Sequence, residues 1–262
     1  MKRMIWLRLF FLIVVLQALN IGRALIWPDQ IVSNLPWPAS PLNARFVASL
    51  YWMGAISAVL CMLARSYTEI RITVIEIGIV TGGLLVLTLP HLGEFTPATF
   101  PYFWLILYVI DPLLAAVIWW QLRTVAARPS RLNPLAPLLI PYAGLLGLLG
   151  LVLLIVPDIA ARFWPWSLPA ILSQVYSIFF LTFAIGGLLA VRELDWDAIR
   201  IYLQANLVML ILVIVVSVIH RDRFVAGPAT WIWYSLCAIG ILAFATALIR
   251  RPRALMAQGS VV

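Results

Sequence analysis

Two histidines are the residues of this chain best suited to metal chemistry. His91 and His220 are its only histidines, and each has an acidic residue close by, Glu94 after the first and Asp222 after the second. Imidazole and carboxylate groups bind divalent metals, and two imidazoles from facing helices can ligate a haem. Each histidine equally fits an interfacial residue bonded to a helix end or a carboxylate. The sequence leaves these alternatives open, and we predict no cofactor.

A second candidate is an acidic residue in the middle of an apolar segment. Asp111 directly precedes Pro112, and a proline inside a helix leaves an earlier carbonyl group without its hydrogen bond. An ionisable group at such depth is costly and faces the helix bundle or a wet cavity. It either serves a function or is bonded to the first apolar segment, where Gln17, Asn20 and Arg23 recur at a spacing of three.

Glu76 and Arg45 are two further buried polar candidates. Glu76 lies about one turn inside an apolar segment and close to Arg71. We expect its long side chain to reach the membrane surface or to pair with Arg71. Arg45 lies near the start of another apolar segment.

Motifs of the common enzyme classes are absent. The sequence contains no GxxxxGK[ST], no GxGxxG after a strand, no HExxH and no GxSxG. These motifs mark nucleotide binding, zinc proteases and serine hydrolases. No loop between the apolar segments is long enough for a soluble catalytic domain. We therefore expect no catalytic activity.

The elements that must hold these residues are membrane-spanning helices. The chain is 64% hydrophobic and 11% charged, whereas soluble domains are about half apolar and about a quarter charged. A span needs about 20 mostly apolar residues, and an α-helix satisfies its own backbone groups in lipid. We predict an all-α integral membrane protein with about eight transmembrane helices. The segments are 4–26, 42–64, 72–90, 100–122, 135–156, 170–191, 199–219 and 229–249.

The basic residues predict the orientation of these helices. The formal net charge is +8, and the basic residues lie in short loops between spans. This pattern favours contact with the lipid bilayer and its anionic headgroups over binding of nucleic acid. Of the 18 basic residues, 13 fall on one predicted side. Since positively charged loops stay cytoplasmic, both termini are expected in the cytoplasm.

Aromatic residues and prolines mark the opposite, outer side. A tryptophan ring prefers the membrane interface, so these residues predict the ends of spans. They are Trp27, Trp37, Trp164, Trp166, Trp231 and Trp233. A Pro-Asp pair begins a longer outer segment at Pro28 and another at Pro157. Each predicts a short helix that lies in the interface.

The two halves of the chain are related by an internal repeat. A shift of 129 residues superposes several scarce residue types, which are informative in so apolar a chain. The matches include Pro28 with Pro157, Trp37 with Trp166, His91 with His220, and Trp104 with Trp233. We predict two tandem four-helix repeats, residues 1–128 and 129–262. With four spans each, both insert in the same direction and are related by a pseudo-two-fold axis along the membrane normal.

One ten-residue stretch has a counterpart elsewhere. Pro36-Trp37-Pro38-Ala39-Ser40-Pro41-Leu42-Asn43-Ala44-Arg45 resembles a Trp-Pro/Pro-Leu/Ala-Arg segment of uncharacterised multi-pass bacterial membrane proteins. The resemblance implies a protein of the bacterial inner membrane and carries no known activity. The second half has Gln174 where the first has Arg45, so a role of that arginine would not be shared.

Three functions fit these observations. The first is transport or permeation of a neutral or lipid-like small molecule along a pathway between the two halves. The second is a non-catalytic structural or assembly subunit with other membrane proteins as partners. The third is metal or haem binding at the outer face through His91 and His220, which requires the two histidines to converge.

Overall fold

The computed structural model describes residues 2–33, 39–95, 102–122 and 133–250. The predicted boundary between the two repeats, most of the basic loop around it, and Trp37 lie outside these residues. All further statements concern the described ranges.

Ten α-helices make up the described part of the chain. Eight are long and apolar enough to cross a membrane, which confirms the expected all-helical, multi-pass architecture. The two short ones, α2 and α7, are the helices predicted from the Pro-Asp pairs. The bounds are α1 Lys2–Gly22, α2 Pro28–Val32, α3 Pro41–Met62, α4 Tyr67–Thr88, α5 Tyr102–Leu122, α6 Ala136–Ile155, α7 Pro157–Phe163, α8 Ala170–Val191, α9 Trp196–Ile219 and α10 Pro228–Arg250.

Side-chain caps fix where several helices begin. The backbone N–H of Asn43 donates to Ser40 Oγ at 3.2 Å at the start of α3. The carboxylate of Glu69 accepts from the backbone N–H of Ser66 at 2.8 Å, as in a capping box. This cap explains why α4 starts at Tyr67, five residues before the predicted segment.

Four helices form the centre of the bundle. Helix α3 packs against α9, and α4 packs against both α8 and α9. The other four long helices lie outside this centre: α1 on α3, α5 on α4, α6 on α8 and α10 on α9. Helices α5 and α10 are the least buried of the eight. Their exposed apolar side chains suit contact with lipid tails.

Small residues allow the outer helices to approach the centre closely. A Cβ atom at Gly78 would lie 3.1 Å from Ala115 Cβ on α5, and one at Gly150 would lie 2.8 Å from Leu181 Cγ on α8. A larger side chain at either glycine would therefore hinder the close packing of these helices.

An aromatic cluster joins the halves at the end of the bundle where α3 begins. Trp164 and Trp166 are 6% and 2% exposed, so both rings pack inside the protein, and their expected position at the ends of spans stays a prediction. Their rings pack on Phe46 of α3 and Trp233 of α10. Trp166 Nε1 also donates to Asn43 Oδ1 at 2.8 Å. The segment after α7 thus carries both indoles into the protein interior.

Polar contacts join the halves at the opposite end. Arg71 at the start of α4 forms an ion pair with Glu193, with 2.6 Å between Nη2 and Oε2. Thr68 Oγ1 donates to Asp195 Oδ2 at 2.8 Å. The expected pair between Arg71 and Glu76 does not form, because Glu193 occupies the guanidinium and the Glu76 side chain turns into the bundle.

Replacing Arg71 by Met is expected to destabilise the protein by about 2 kcal/mol, because it leaves the buried carboxylate of Glu193 without its cation. Thermal unfolding in mild detergent, followed by tryptophan fluorescence, measures the change. Arg200→Met is the matched control, since Arg200 forms a long, exposed pair with Asp197 at 3.4 Å and is expected to cost under about 0.5 kcal/mol. Equal effects of the two substitutions would contradict the assigned role of Arg71.

Candidate ligand cavity

Two adjoining cavities lie inside the first half of the bundle. Both are bounded by α1, α3, α4 and α5, and α8 of the second half closes one side. The His91 cavity, with Ile31, Thr88 and His91 in its wall, has a volume of about 100 Å³. The Glu76 cavity, with Gln17 and Glu76 in its wall, has a volume of about 90 Å³. Each is several times the roughly 10–15 Å³ that one water molecule needs.

The cavities share one wall, which contains a pair of tyrosines. Tyr51 and Tyr108 line both cavities, and their hydroxyl groups are hydrogen-bonded at 2.8 Å. Ile21, Leu84 and Trp104 are also common to the two linings. The cavities are therefore neighbours that share a wall, with the tyrosine pair between α3 and α5 at their junction, and the two are together called the combined space.

This space extends along most of α4. Thr88 lines the His91 cavity and Thr73 lines the Glu76 cavity. At a rise of 1.5 Å per residue these two positions are about 22 Å apart along the helix. The hydrocarbon core of a bilayer is about 30 Å thick. The space is thus long enough to hold an extended hydrocarbon chain.

The walls of the two cavities are predominantly apolar. Among the described lining residues, Glu76 and His91 are the only acidic or basic ones. The other polar groups are neutral, and most of them lie on the wall of the Glu76 cavity. Besides the tyrosines, those of the Glu76 cavity are Gln17, Asn20, Ser57, Thr73, Thr81 and Thr182. An apolar pocket with a few polar groups at one end is typical of sites that bind and orient small molecules.

Glu76 has an unusual environment for a carboxyl group. Its side chain is 6% exposed, and its Oε1 atom has no hydrogen-bond partner. It fits into a notch at Gly186 of α8, where an added Cβ atom would lie 2.1 Å from Oε1. Leaving a buried polar atom unsatisfied costs about 1–3 kcal/mol. The α4–α8 contact therefore holds the carboxyl group in place but leaves its Oε1 atom without a hydrogen bond.

Asp111 lies next to the same cavity. It is 2% exposed, and its Oδ1 atom accepts a long hydrogen bond of 3.5 Å from Gln17 Nε2. The predicted contact with the first span is therefore present through Gln17, which also lines the Glu76 cavity. Asp111 Oδ2 has no partner. Helix α5 continues through Pro112 to Leu122.

Ser57, Gly54 and the tyrosine pair are site residues that sequence reasoning missed. Ser57 Oγ is buried without a partner in the wall of the Glu76 cavity, and Gly54 lies one turn earlier in the same wall. A Cβ atom at Gly54 would have no atom within 4 Å. The sequence contained a signal, because the predicted shift of 129 residues places Gly54 on the bulky Phe183.

The two histidines line different cavities and have different partners. His91 Nδ1 lies 2.6 Å from Glu94 Oε1. His220 lines a separate cavity of about 210 Å³, and its Nε2 lies 2.7 Å from Arg45 Nη1. The described residues contain no group of three or more His, Cys, Asp or Glu side chains arranged to hold a metal ion. The metal and haem hypotheses stay predictions.

Arg45 connects the two halves through His220. Its Nε atom donates to the carbonyl oxygen of Leu25 at 3.0 Å, and Nη1 contacts the His220 ring at the end of α9. Since a guanidinium group has donors only, His220 Nε2 must accept and the ring must be neutral. The second half has Gln174 at the position of Arg45, so this contact is specific to the first half, as expected.

Comparisons with known proteins gave no match to this chain, either among protein-family models, among curated proteins or among solved structures. We therefore infer the function from the cavities and their lining residues.

Acidification is expected to weaken the Arg45–His220 contact. Burial and the positive charge of Arg45 lower the pKa of His220 below its ordinary value of 6.5, with Arg223 acting in the same direction and Asp222 opposing it. The unfolded chain then binds more protons near that pH, so the contribution of His220 is complete above pH 6.5 and is lost as the pH falls below it.

Thermal stability in detergent between pH 8 and pH 5 measures this effect. His220→Gln is the control, because the amide oxygen of Gln accepts from Arg45 at every pH. We expect the wild type to lose more stability than His220→Gln on acidification, since other titrating groups are common to both. Identical pH profiles would contradict the assignment.

Proposed function

We propose that this protein binds a neutral, lipid-like small molecule inside the bilayer and provides it with a path through the first four-helix unit. The observation that carries the proposal is the pair of adjoining cavities, with five shared lining residues, bounded by α1, α3, α4, α5 and α8. The expected pathway between the two halves is replaced in this proposal by one within the first unit, because these cavities lie there.

The chemistry of the walls supports a neutral ligand. Neither lysine nor arginine is among the described lining residues, and Glu76 and His91 are the only other ionisable groups besides tyrosines. Moving an unpaired charge into a membrane interior is costly. A molecule with a hydrocarbon body meets the apolar walls without that cost.

The helix contacts support a tandem duplication with pseudo-two-fold symmetry. The long helices of the first unit, α1, α3, α4 and α5, correspond in order to α6, α8, α9 and α10 of the second. Each main contact then has an observed counterpart. The α1–α3 contact corresponds to α6–α8, α4–α5 to α9–α10, and α3–α9 to α8–α4. An axis through the α4–α9 contact would relate the two units. Together with the excess of basic loops on one side, this supports both termini in the cytoplasm of a bacterial cell, with the protein in the inner membrane.

A binding or permeation role requires no catalytic group, and we propose that the protein is not an enzyme. A subunit role in a larger membrane complex is the alternative, and purification of the protein from its native membrane in mild detergent tests it. It would be indicated by a stoichiometric protein partner together with an empty cavity. Metal binding through His220 Nε2 would require the loss of its contact with Arg45. We therefore do not favour the metal hypothesis.

Filling the cavity tests the proposed function. Gly54→Leu places a side chain into the Glu76 cavity, where a Cβ atom would meet nothing within 4 Å. Gly144→Leu is the matched control, because Gly144 of α6 also has free space but lies exposed on the outer surface.

Each variant is reconstituted in vesicles that contain a diacylglycerol with a photoreactive diazirine in one acyl chain. Labelled residues are then identified by mass spectrometry. We expect wild type and Gly144→Leu to be labelled in α3, α4 and α5 at the cavity walls. Gly54→Leu should lose most of this labelling, by about tenfold, while labelling of the lipid-facing side of α10 persists. Unchanged labelling of the cavity walls in Gly54→Leu would refute a ligand site there.

A further inference from the structure

Two unsatisfied polar atoms belong to the wall of the Glu76 cavity. Ser57 Oγ on α3 and Glu76 Oε1 on α4 have no hydrogen-bond partner, and their side chains are 2% and 6% exposed. Buried polar atoms are nearly always satisfied in native proteins, so each exception requires an explanation. Both residues line the same cavity, which indicates that a bound molecule supplies the missing partner.

The carboxyl group of Glu76 is placed so that it can serve a ligand. Glu76 lines the cavity while its Oε1 atom packs at Gly186 of α8, and Arg71, the nearest cation in sequence, is occupied by Glu193. The last torsion of a glutamate side chain is broad, so either oxygen can turn toward a molecule in the cavity. No described residue competes for Oε1.

Polar groups are unevenly distributed along the combined space. The Glu76 cavity contributes Gln17, Ser57, Thr73 and Glu76, and the His91 cavity contributes Thr88 and His91, whereas the wall between them is formed mainly by apolar side chains such as Leu84. A ligand that fits the Glu76 end of this distribution has a polar group followed by a hydrocarbon chain.

We infer that the Glu76 cavity recognises the hydroxyl group of a neutral long-chain alcohol or a similar hydroxyl-bearing lipid, with the chain extending past Tyr51 and Tyr108 toward the His91 cavity. This inference rests on the proposed function and names its ligand class. A hydroxyl group both donates and accepts. It can donate to the Glu76 carboxyl and can donate to or accept from Ser57. An ammonium group has donors only and would bring a charge into the bilayer.

The test uses the full chain in vesicles and two probes with the same alkyl chain. One is hexadecanol with a diazirine in its chain, and the other is the methyl ether of the same alcohol, which cannot donate a hydrogen bond. We expect the alcohol to label the cavity walls about tenfold more strongly than the ether at equal concentration.

Variants of Glu76 separate the possible sources of this preference. Glu76→Gln retains an oxygen acceptor and is expected to keep the preference for the alcohol. Glu76→Leu removes the acceptor and should be labelled equally by both probes. Ser57→Ala should reduce the preference for the alcohol severalfold. Labelling by the methyl ether reports folding, because it depends on the cavity and not on the carboxyl group. It should match the wild type in all three variants.

The outcomes distinguish this inference from the proposed function. Equal labelling of the wild-type cavity by both probes overturns hydroxyl recognition and leaves lipid binding intact. Absence of cavity labelling with either probe overturns the proposed function itself. A loss of preference in Glu76→Gln as complete as in Glu76→Leu overturns recognition through a neutral acceptor, because Gln is close to Glu in shape and keeps one neutral carbonyl oxygen.

Discussion

The contact between α4 and α8 is the interaction on which the rest of the arrangement depends. Helix α4 carries Glu76, and α8 provides the Gly186 notch that receives its carboxyl group. The same contact joins the two halves and closes one side of both cavities. Polar contacts at the two ends of the halves, Arg71 with Glu193 and Arg45 with His220, fix the helices on either side of it. Lipid supplies no hydrophobic drive for helix association, so close packing and these few polar contacts must determine the geometry.

The two halves use the same packing scheme with different side chains. The position of Gly54 in α3 is occupied by Phe183 in α8, and that of Thr73 in α4 by Tyr202 in α9. Both aromatic residues are buried in the core, and Tyr202 donates to the carbonyl oxygen of Phe183 at 2.8 Å. Small residues in the first half thus leave open a volume that large residues fill in the second. Under the proposed duplication, one half would serve stability and the other ligand binding.

The sequence predicted the architecture well, because long apolar runs and Pro-Asp helix starts are local features. It also identified Asp111 and Glu76 as polar residues inside apolar segments. It did not predict the partner of Arg71, since the pairing of Arg71 with Glu193 depends on packing between distant segments. The burial of Trp164 and Trp166 depends on such packing as well. The cavities were not predicted from the sequence, because they depend on how five helices pack together.

The central claim is that an elongated ligand occupies the space between α1, α3, α4, α5 and α8. A cryo-electron microscopy structure of the protein in nanodiscs, extracted with its native lipids, tests this most directly. The account predicts continuous non-protein density from the Glu76 carboxyl group past the Tyr51–Tyr108 pair toward His91. A well-resolved map in which α4, α5 and α8 close on each other, with Leu84 and Tyr108 filling the space, would contradict it.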